Sequence, residues 1–198
     1  PPFAGVRRIR RLASQARALA LVSACSAPGG LLVSDEANPI GGNLFVETAS
    51  DGNKFLVLDG EISAQTSCAF QSLLAQADVE GLVIARSPGG DLLAAHQIGR
   101  AVKANRINTI VLVSCISACV DIFIAGEVRE MMDIAELGLH SATDRDFAYE
   151  IDRRYWGDLG FSRVNEKAYL VPNNRIWIIS AKRARELRLA TNIVASES

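Results

Sequence analysis

The apolar residues of this chain fall into short runs, separated by polar breaks marked with glycine, proline or asparagine. The densest run, Thr109-Ile110-Val111-Leu112-Val113, shows no alternation and reads as a strand buried on both faces. Gly81-Leu82-Val83-Ile84-Ala85 reads the same way. Between and around these runs the period changes to that of a helix. Phe70, Leu73, Leu74 and Ala77 predict a helix over 64–77, and Leu92, Ala95, Ile98, Gly99 and Val102 predict one over 91–104. Leu44–Glu47 and Lys54–Leu58 flank Ser50-Asp51-Gly52-Asn53, strong turn chemistry that predicts a β-hairpin. Two further strands are expected over 128–134 and 137–139. Phe147, Ile151, Tyr155 and Leu159 lie four apart and predict an amphipathic helix over 143–159. Another helix is expected over 163–170, broken by Pro172-Asn173-Asn174, then a last one over 180–189 and a closing strand at Asn192-Ile193-Val194. Strands alternating with helices through short connectors predict right-handed βαβ crossovers and a parallel sheet.

The first 42 residues differ. Arg7, Arg8, Arg10, Arg11 and Arg17 precede Ala18-Leu19-Ala20-Leu21-Val22 and then Ser23-Ala24-Cys25. Basic, then apolar, then small residues is the order of an export signal, and an exposed basic helix would show the same charges. Val22-Ser23-Ala24-Cys25 also resembles a lipoprotein signal, with Cys25 as the lipid anchor point. Residues 26–42, punctuated by Pro28-Gly29-Gly30 and Pro39-Ile40-Gly41-Gly42, read as a linker with one short strand at Leu31-Leu32-Val33. The division expected is therefore a leader over 1–25, a linker over 26–42 and one domain over 43–195. With 21 Lys and Arg against 22 Asp and Glu, the net charge of −1 gives no reason to expect nucleic acid as a partner. No run of eighteen apolar residues occurs, so no transmembrane span is expected.

Candidate chemistry gathers at three places. The central run ends in Ser114-Cys115-Ile116-Ser117-Ala118-Cys119, small residues suited to a tight strand-to-helix junction, where new-helix N–H groups favour a developing oxyanion. Ser87-Pro88-Gly89-Gly90-Asp91 follows the run at 81–85, and its glycines allow close backbone approach to a ligand. His140 ends Leu137-Gly138-Leu139. A serine, a histidine and a glycine-rich donor loop are the parts of acyl transfer. His96, inside the helix after the glycines, reads as structural or solvent-exposed. Cys115 and Cys119 are either disulfide-bonded or two small buried thiols. No second Cys pair and no His pair sits at zinc-ligand spacing to join Cys115 and Cys119, and neither metal nor cofactor is expected.

These three stretches, in this order, resemble the Clp protease proteolytic-subunit family and the wider Clp/crotonase superfamily. The similarity is greatest to Clp-like predicted periplasmic proteins, whose nucleophile region reads Cys-x-Ser-Ala-Cys, here Cys115-Ile116-Ser117-Ala118-Cys119. The resemblance spans about 56–194. It implies an α/β fold, a ClpP/crotonase-like spiral of ββα units with a mostly parallel central sheet. It implies a serine peptidase with Ser117 as nucleophile, His140 as base, and backbone N–H groups of Gly89 or Gly90 and of Ala118 as the oxyanion hole. It also implies a peptide or unfolded-protein substrate, and a homo-oligomer assembled through the helical region 143–170. A bacterial periplasmic or cell-envelope location fits both the resemblance and the leader, and a cytoplasmic one stays open.

The resemblance fails at one point. Where the family carries an aspartate to orient the histidine, this chain has Arg188-Leu189-Ala190-Thr191, so Thr191 or Asn192 stands in the third position. Asp144 or Asp146 could supply an acid instead. Cys119 could replace Ser117 as nucleophile, since a helix N-terminus lowers a thiol pKa. Two other readings remain: a Clp-fold binding or assembly domain without catalysis, and an acyl-CoA enzyme of the crotonase type. No phosphate-binding Gly-x4-Gly-Lys-Ser/Thr loop occurs, so a peptidase here would work without its own ATP chemistry.

Overall fold

A computed structural model describes residues 37–49 and 52–196. The leader and the strand expected at Leu31–Val33 lie outside the described residues. Nine strands form one mixed, mostly parallel sheet: β1 (Asn38–Gly41), β2 (Leu44–Thr48), β3 (Lys54–Asp59), β4 (Gly81–Ser87), β5 (Asn108–Ile116), β6 (Arg129–Met132), β7 (Glu136–Leu139), β8 (Trp177–Ser180) and β9 (Asn192–Val194). Six helices accompany them among the described residues: α1 (Ala64–Leu74), α2 (Leu92–Ala104), α3 (Cys119–Ile124), α4 (Arg145–Asp158), α5 (Ser162–Tyr169) and α6 (Ala181–Glu186). The sheet runs β1-β2-β3-β4-β5-β6-β9. The β2–β3 hairpin is antiparallel, and β3, β4, β5, β6 and β9 pair in parallel.

One feature of this sheet positions everything that follows. β4 covers one edge of β5 along its whole length, whereas the other edge is shared. β6 takes its first half, Thr109 to Val111, and β7 takes its second half, Ser114 to Ile116. The carboxyl ends of β5 and β7 therefore emerge side by side, with Ile116 opposite Gly138. Ser117 and His140 follow directly.

The elements form for local reasons. Ser63 caps α1 in a reciprocal capping box with Thr66, Asp91 caps α2 through Ala94 N–H, and Asp144 caps α4 through Phe147 N–H. Phe55, Leu56, Phe70, Ile84, Val111 and Phe123 are fully buried between sheet and helices. Each such side chain contributes about 1.5–3 kcal/mol of burial.

Three departures from the sequence reading have physical causes. β1 lies in the segment read as a linker and extends the sheet by pairing with β2. β8 was not expected, because Ile176-Trp177-Ile178-Ile179 is too short to separate from its turn. It pairs antiparallel with β7, and Ser180, expected as the first helical residue, is the N-cap of α6. The buried face of α4 is Ala148, Asp152, Tyr155 and Trp156; of the expected stripe Tyr155 is buried, Ile151 and Leu159 are partly buried, and Phe147 is 56% exposed. The face is turned from the apolar spacing because a carboxylate, Asp152, faces inward.

Gly99 on α2 allows this packing. A Cβ there would lie 1.8 Å from Tyr155 Oη, which donates to the Asp121 carbonyl at 2.7 Å. Gly99→Ala is expected to destabilise the fold by about 1–3 kcal/mol, measurable as a lower urea midpoint, because Tyr155 has nowhere to move.

Candidate active site

Ser117 sits between β5 and α3 with φ +55°, left-handed backbone that costs a non-glycine residue about 1–2 kcal/mol. Several contacts hold it there. Its N–H donates to the Gly138 carbonyl at 2.7 Å, and its own carbonyl accepts from Val120 N–H at 2.9 Å. The Cys115–Cys119 disulfide brackets it, with Cα atoms 5.3 Å apart and both residues fully buried. That bond removes Cys119 as an alternative nucleophile, since its sulfur is no thiolate.

The glycine turn closes on the same junction. Gly89 has φ +94°, and a Cβ on it would lie 2.6 Å from the Ile116 carbonyl oxygen and 2.8 Å from Ser117 Cβ. Gly89→Ala is expected to lower stability by about 1–3 kcal/mol and to displace Ser117, read as a lower urea midpoint together with loss of any serine reactivity. Gly90, φ +140°, is pinned to Ile62, whose N–H donates to the Gly89 carbonyl at 2.8 Å and whose carbonyl accepts from Asp91 N–H at 2.9 Å. The Gly89 N–H is taken by Ser87 Oγ at 3.2 Å. Neither Gly90 N–H nor Ala118 N–H is paired with a backbone acceptor among the described residues. Of the expected oxyanion donors, the geometry thus leaves Gly90 and Ala118 available and Gly89 engaged.

His140 is half-buried, and its Nδ1 lies 2.8 Å from the Ser141 carbonyl oxygen. A carbonyl only accepts, so the neutral imidazole carries its proton on Nδ1 and keeps the Nε2 lone pair. Asn173 supports this arrangement. Its Nδ2 donates to the same Ser141 oxygen at 3.1 Å and to Thr143 Oγ1 at 3.3 Å, and lies 3.3 Å from His140 Nδ1.

Thr191 and Asn192 do not fill the third position. The Thr191 hydroxyl donates to the Arg129 carbonyl at 2.9 Å and accepts from Arg129 N–H, and Asn192 Nδ2 donates to Glu130 Oε1 at 3.2 Å. Both belong to the β6–β9 edge, because β9 pairs with β6 and not with β7. Asp144 has its carboxylate on the α4 cap, and Asp146 lies exposed in the first turn of that helix. Asn173, read from sequence only as part of a helix break, is the residue beside His140. A Pro-Asn-Asn turn carries no signal that distinguishes an orienting amide from an ordinary turn former.

Gly90, Ser117, Ala118 and His140 line one cleft of about 230 Å3. A larger depression, about 440 Å3 beside the ends of β4 and β5, contains neither Ser117 nor His140. The cleft wall comes from α4 and α5 (Phe147, Ala148, Trp156, Ala168, Tyr169), and its lining includes Asp121, Asp152 and Asn165.

Behind that wall lies a polar cluster that the sequence did not announce. His96, expected as structural or solvent-exposed, is buried at 3% exposure. Its Nε2 lies 3.4 Å from Asp121 Oδ2 and 3.2 Å from Asp152 Oδ1. Its ring stacks on Tyr155 with centroids 4.0 Å apart. Trp156 Nε1 donates to Asp121 Oδ1 at 2.7 Å, and Tyr169 Oη donates to Asp152 Oδ2. Burial alone would lower the His96 pKa, but the two aspartates facing Nε2 outweigh it and raise it to about 9. Burial raises the Asp121 pKa to about 6, against the opposing pull of His96.

No family model matches the chain, and no curated protein matches it in sequence. Among solved structures it is similar in fold to a mutant of the membrane-bound stomatin-specific protease 1510-N, with a TM-score of 0.54 and 15% identity over 70% of this chain and 77% of that one. The shared property is a mixed α/β fold. None of the helices among the described residues is long and apolar enough to cross a membrane.

Proposed function

We propose that this chain is a Clp-like serine hydrolase, a peptidase acting by acyl transfer within a Clp/crotonase-type spiral. The observation that carries the reading is the junction itself: a serine held at positive φ beside two N–H groups without backbone acceptors, with a histidine on the adjacent strand end whose Nδ1 is already fixed. In the mechanism, His140 Nε2 takes the Ser117 hydroxyl proton as Oγ attacks the peptide carbonyl. The tetrahedral oxyanion is held by Gly90 and Ala118 N–H groups. His140 then protonates the leaving amine, and a water, deprotonated by His140, releases the acyl group from Ser117. The fold similarity to a protease supports the peptidase reading.

Peptides or unfolded segments are the substrates this reading implies, without an ATPase in the same chain. The buried Cys115–Cys119 disulfide favours an oxidising compartment such as the bacterial cell envelope. Exposed Phe147, Tyr149 and Leu170 favour self-association through the region 143–170.

A fluorophosphonate probe on the purified chain tests the proposal. Labelling of wild type that disappears in Ser117→Ala is the expected result. A folded wild-type protein that takes no label would favour the second reading, a non-catalytic Clp-fold binding domain. One observation speaks for that alternative: a neutral carbonyl and an amide stand where the family has a carboxylate.

A further inference from the structure

Three helices each bring one polar side chain to a single buried point. His96 comes from α2, Asp121 from α3 and Asp152 from α4, and they are 3%, 4% and 6% exposed. One donor atom from each lies within 4.8 Å of the others. Spacing along the chain carries no trace of this, because each residue stands on its own helix. Neither contact of His96 is a hydrogen bond. Its Nε2 lies 3.4 Å from Asp121 Oδ2 and 3.2 Å from Asp152 Oδ1, yet Nε2 and Asp152 Oδ1 have no hydrogen-bond partner among the described residues. Unpaired buried polar atoms are rare in native proteins and call for an occupant.

The separations fit one occupant. Nitrogen and oxygen ligands about 2.0–2.2 Å from a tetrahedral zinc ion stand roughly 3.3–3.5 Å from each other. The far oxygen of each carboxylate is already held: Trp156 Nε1 donates to Asp121 Oδ1, and Tyr169 Oη donates to Asp152 Oδ2. Each aspartate therefore has its other oxygen beside His96 Nε2. The His96 ring is fixed in turn by stacking on Tyr155. Donors behind the carboxylates and a fixed imidazole are what orient the ligands of a metal centre. Two carboxylates and one neutral imidazole also balance the charge of a divalent ion.

We propose that His96 Nε2, Asp121 Oδ2 and Asp152 Oδ1 bind a divalent transition-metal ion of the zinc type, which fastens α4 to α2 and α3. The cleft that both aspartates line supplies a water as the fourth ligand. Because α4 carries part of the cleft wall, the ion is structural and holds that wall in place. The site stands whether or not Ser117 is a nucleophile. His96 Nε2 and Asp152 Oδ1 each expose less than 1 Å2, which shuts out an organic cation, whereas a bare ion lies between its ligands. The imidazole selects against Mg2+ and Ca2+, which prefer oxygen ligands. The ion pairing of His96 with the two aspartates belongs to the metal-free chain, and a bound ion takes the place of the proton on Nε2.

Titration of the full chain, first stripped with a chelator, tests this. Calorimetry with Zn2+ is expected to show saturable binding that Mg2+ does not reproduce, and Zn2+ is expected to raise the urea midpoint. His96→Asn and Asp152→Asn are each expected to weaken Zn2+ binding by at least roughly 100-fold. Trp156→Phe keeps every ligand but loses the donor behind Asp121, and is expected to weaken binding by about 10- to 100-fold. Co2+ bound to wild type gives a reading that needs no variant to fold: intense visible bands of tetrahedral coordination, without sulfur-to-cobalt charge transfer. Absence of saturable Zn2+ binding would overturn the site. So would Zn2+ binding that is unchanged in His96→Asn, or a Co2+ spectrum that shows cysteine ligands or octahedral coordination.

Discussion

His140→Ala is expected to cut peptide hydrolysis at Ser117 by roughly 10^3- to 10^4-fold, with kcat falling and KM little changed. A positioned base contributes about 10^2–10^4 in rate, and the residual activity would come from the Gly90 and Ala118 N–H groups and from binding. The same geometry makes a finer statement about the residue behind the histidine. A serine hydrolase with a carboxylate behind its base stabilises the imidazolium with a full charge. Here the Ser141 carbonyl does so with a dipole, held in place by Asn173. Asn173→Ala is therefore expected to lower kcat/KM by about tenfold, since the Ser141 carbonyl that fixes the ring loses the donor holding it. Asn173→Asp should move in the opposite direction. A carboxylate 3.3 Å from Nδ1 would favour the protonated ring, raise kcat and shift the acidic limb of the pH–rate profile upward. A fall in kcat for the aspartate variant would show that the carbonyl, not the amide position, governs the ring.

The strand-to-helix junction at Ser117 is legible in the sequence because its requirements are local. A β-branched run ending in small residues and a paired-glycine turn each restrict the backbone enough to read. The place of His140 is legible for the same reason, at the end of a short strand following α3. What did not show was anything set by pairing across the sheet. Register places Thr191, the expected third position, on the β6 edge, while the residue beside His140 comes from a turn between α5 and β8. The α4 face shows a related limit. Hydrophobic spacing finds Tyr155, and it has no means of finding that an aspartate on the same face sits beside a histidine from α2. Ala94-Ala95-His96-Gln97 on one helix and Glu150-Ile151-Asp152-Arg153 on another carry no mark of each other.

That pair has the second large consequence, on stability. His96→Ala is expected to destabilise the fold by about 3–5 kcal/mol at neutral pH, because two buried carboxylates lose their counter-charge while Trp156 and Tyr169 hold them in place. In wild type the same interaction makes stability depend on pH. The His96 pKa is raised from 6.5 to about 9 on folding, so between these values the native state binds more protons than the unfolded one. Stability from this group is full below pH 6.5 and is lost as pH rises through 9, on the order of 3 kcal/mol in all. Asp121 acts in the same direction at lower pH: its pKa is raised from 3.8 to about 6, so its contribution declines across that window. Urea denaturation of wild type at pH 6, 7, 8 and 9 should therefore show a falling midpoint. In His96→Asn the whole curve should lie lower, and the decline that remains belongs to Asp121, whose pKa rises further once the opposing pull of His96 is gone. A wild-type midpoint that stays flat over that range would mean that His96 is neutral in the folded protein, and that the carboxylates are kept apart from water by their hydrogen bonds to Trp156 and Tyr169 alone.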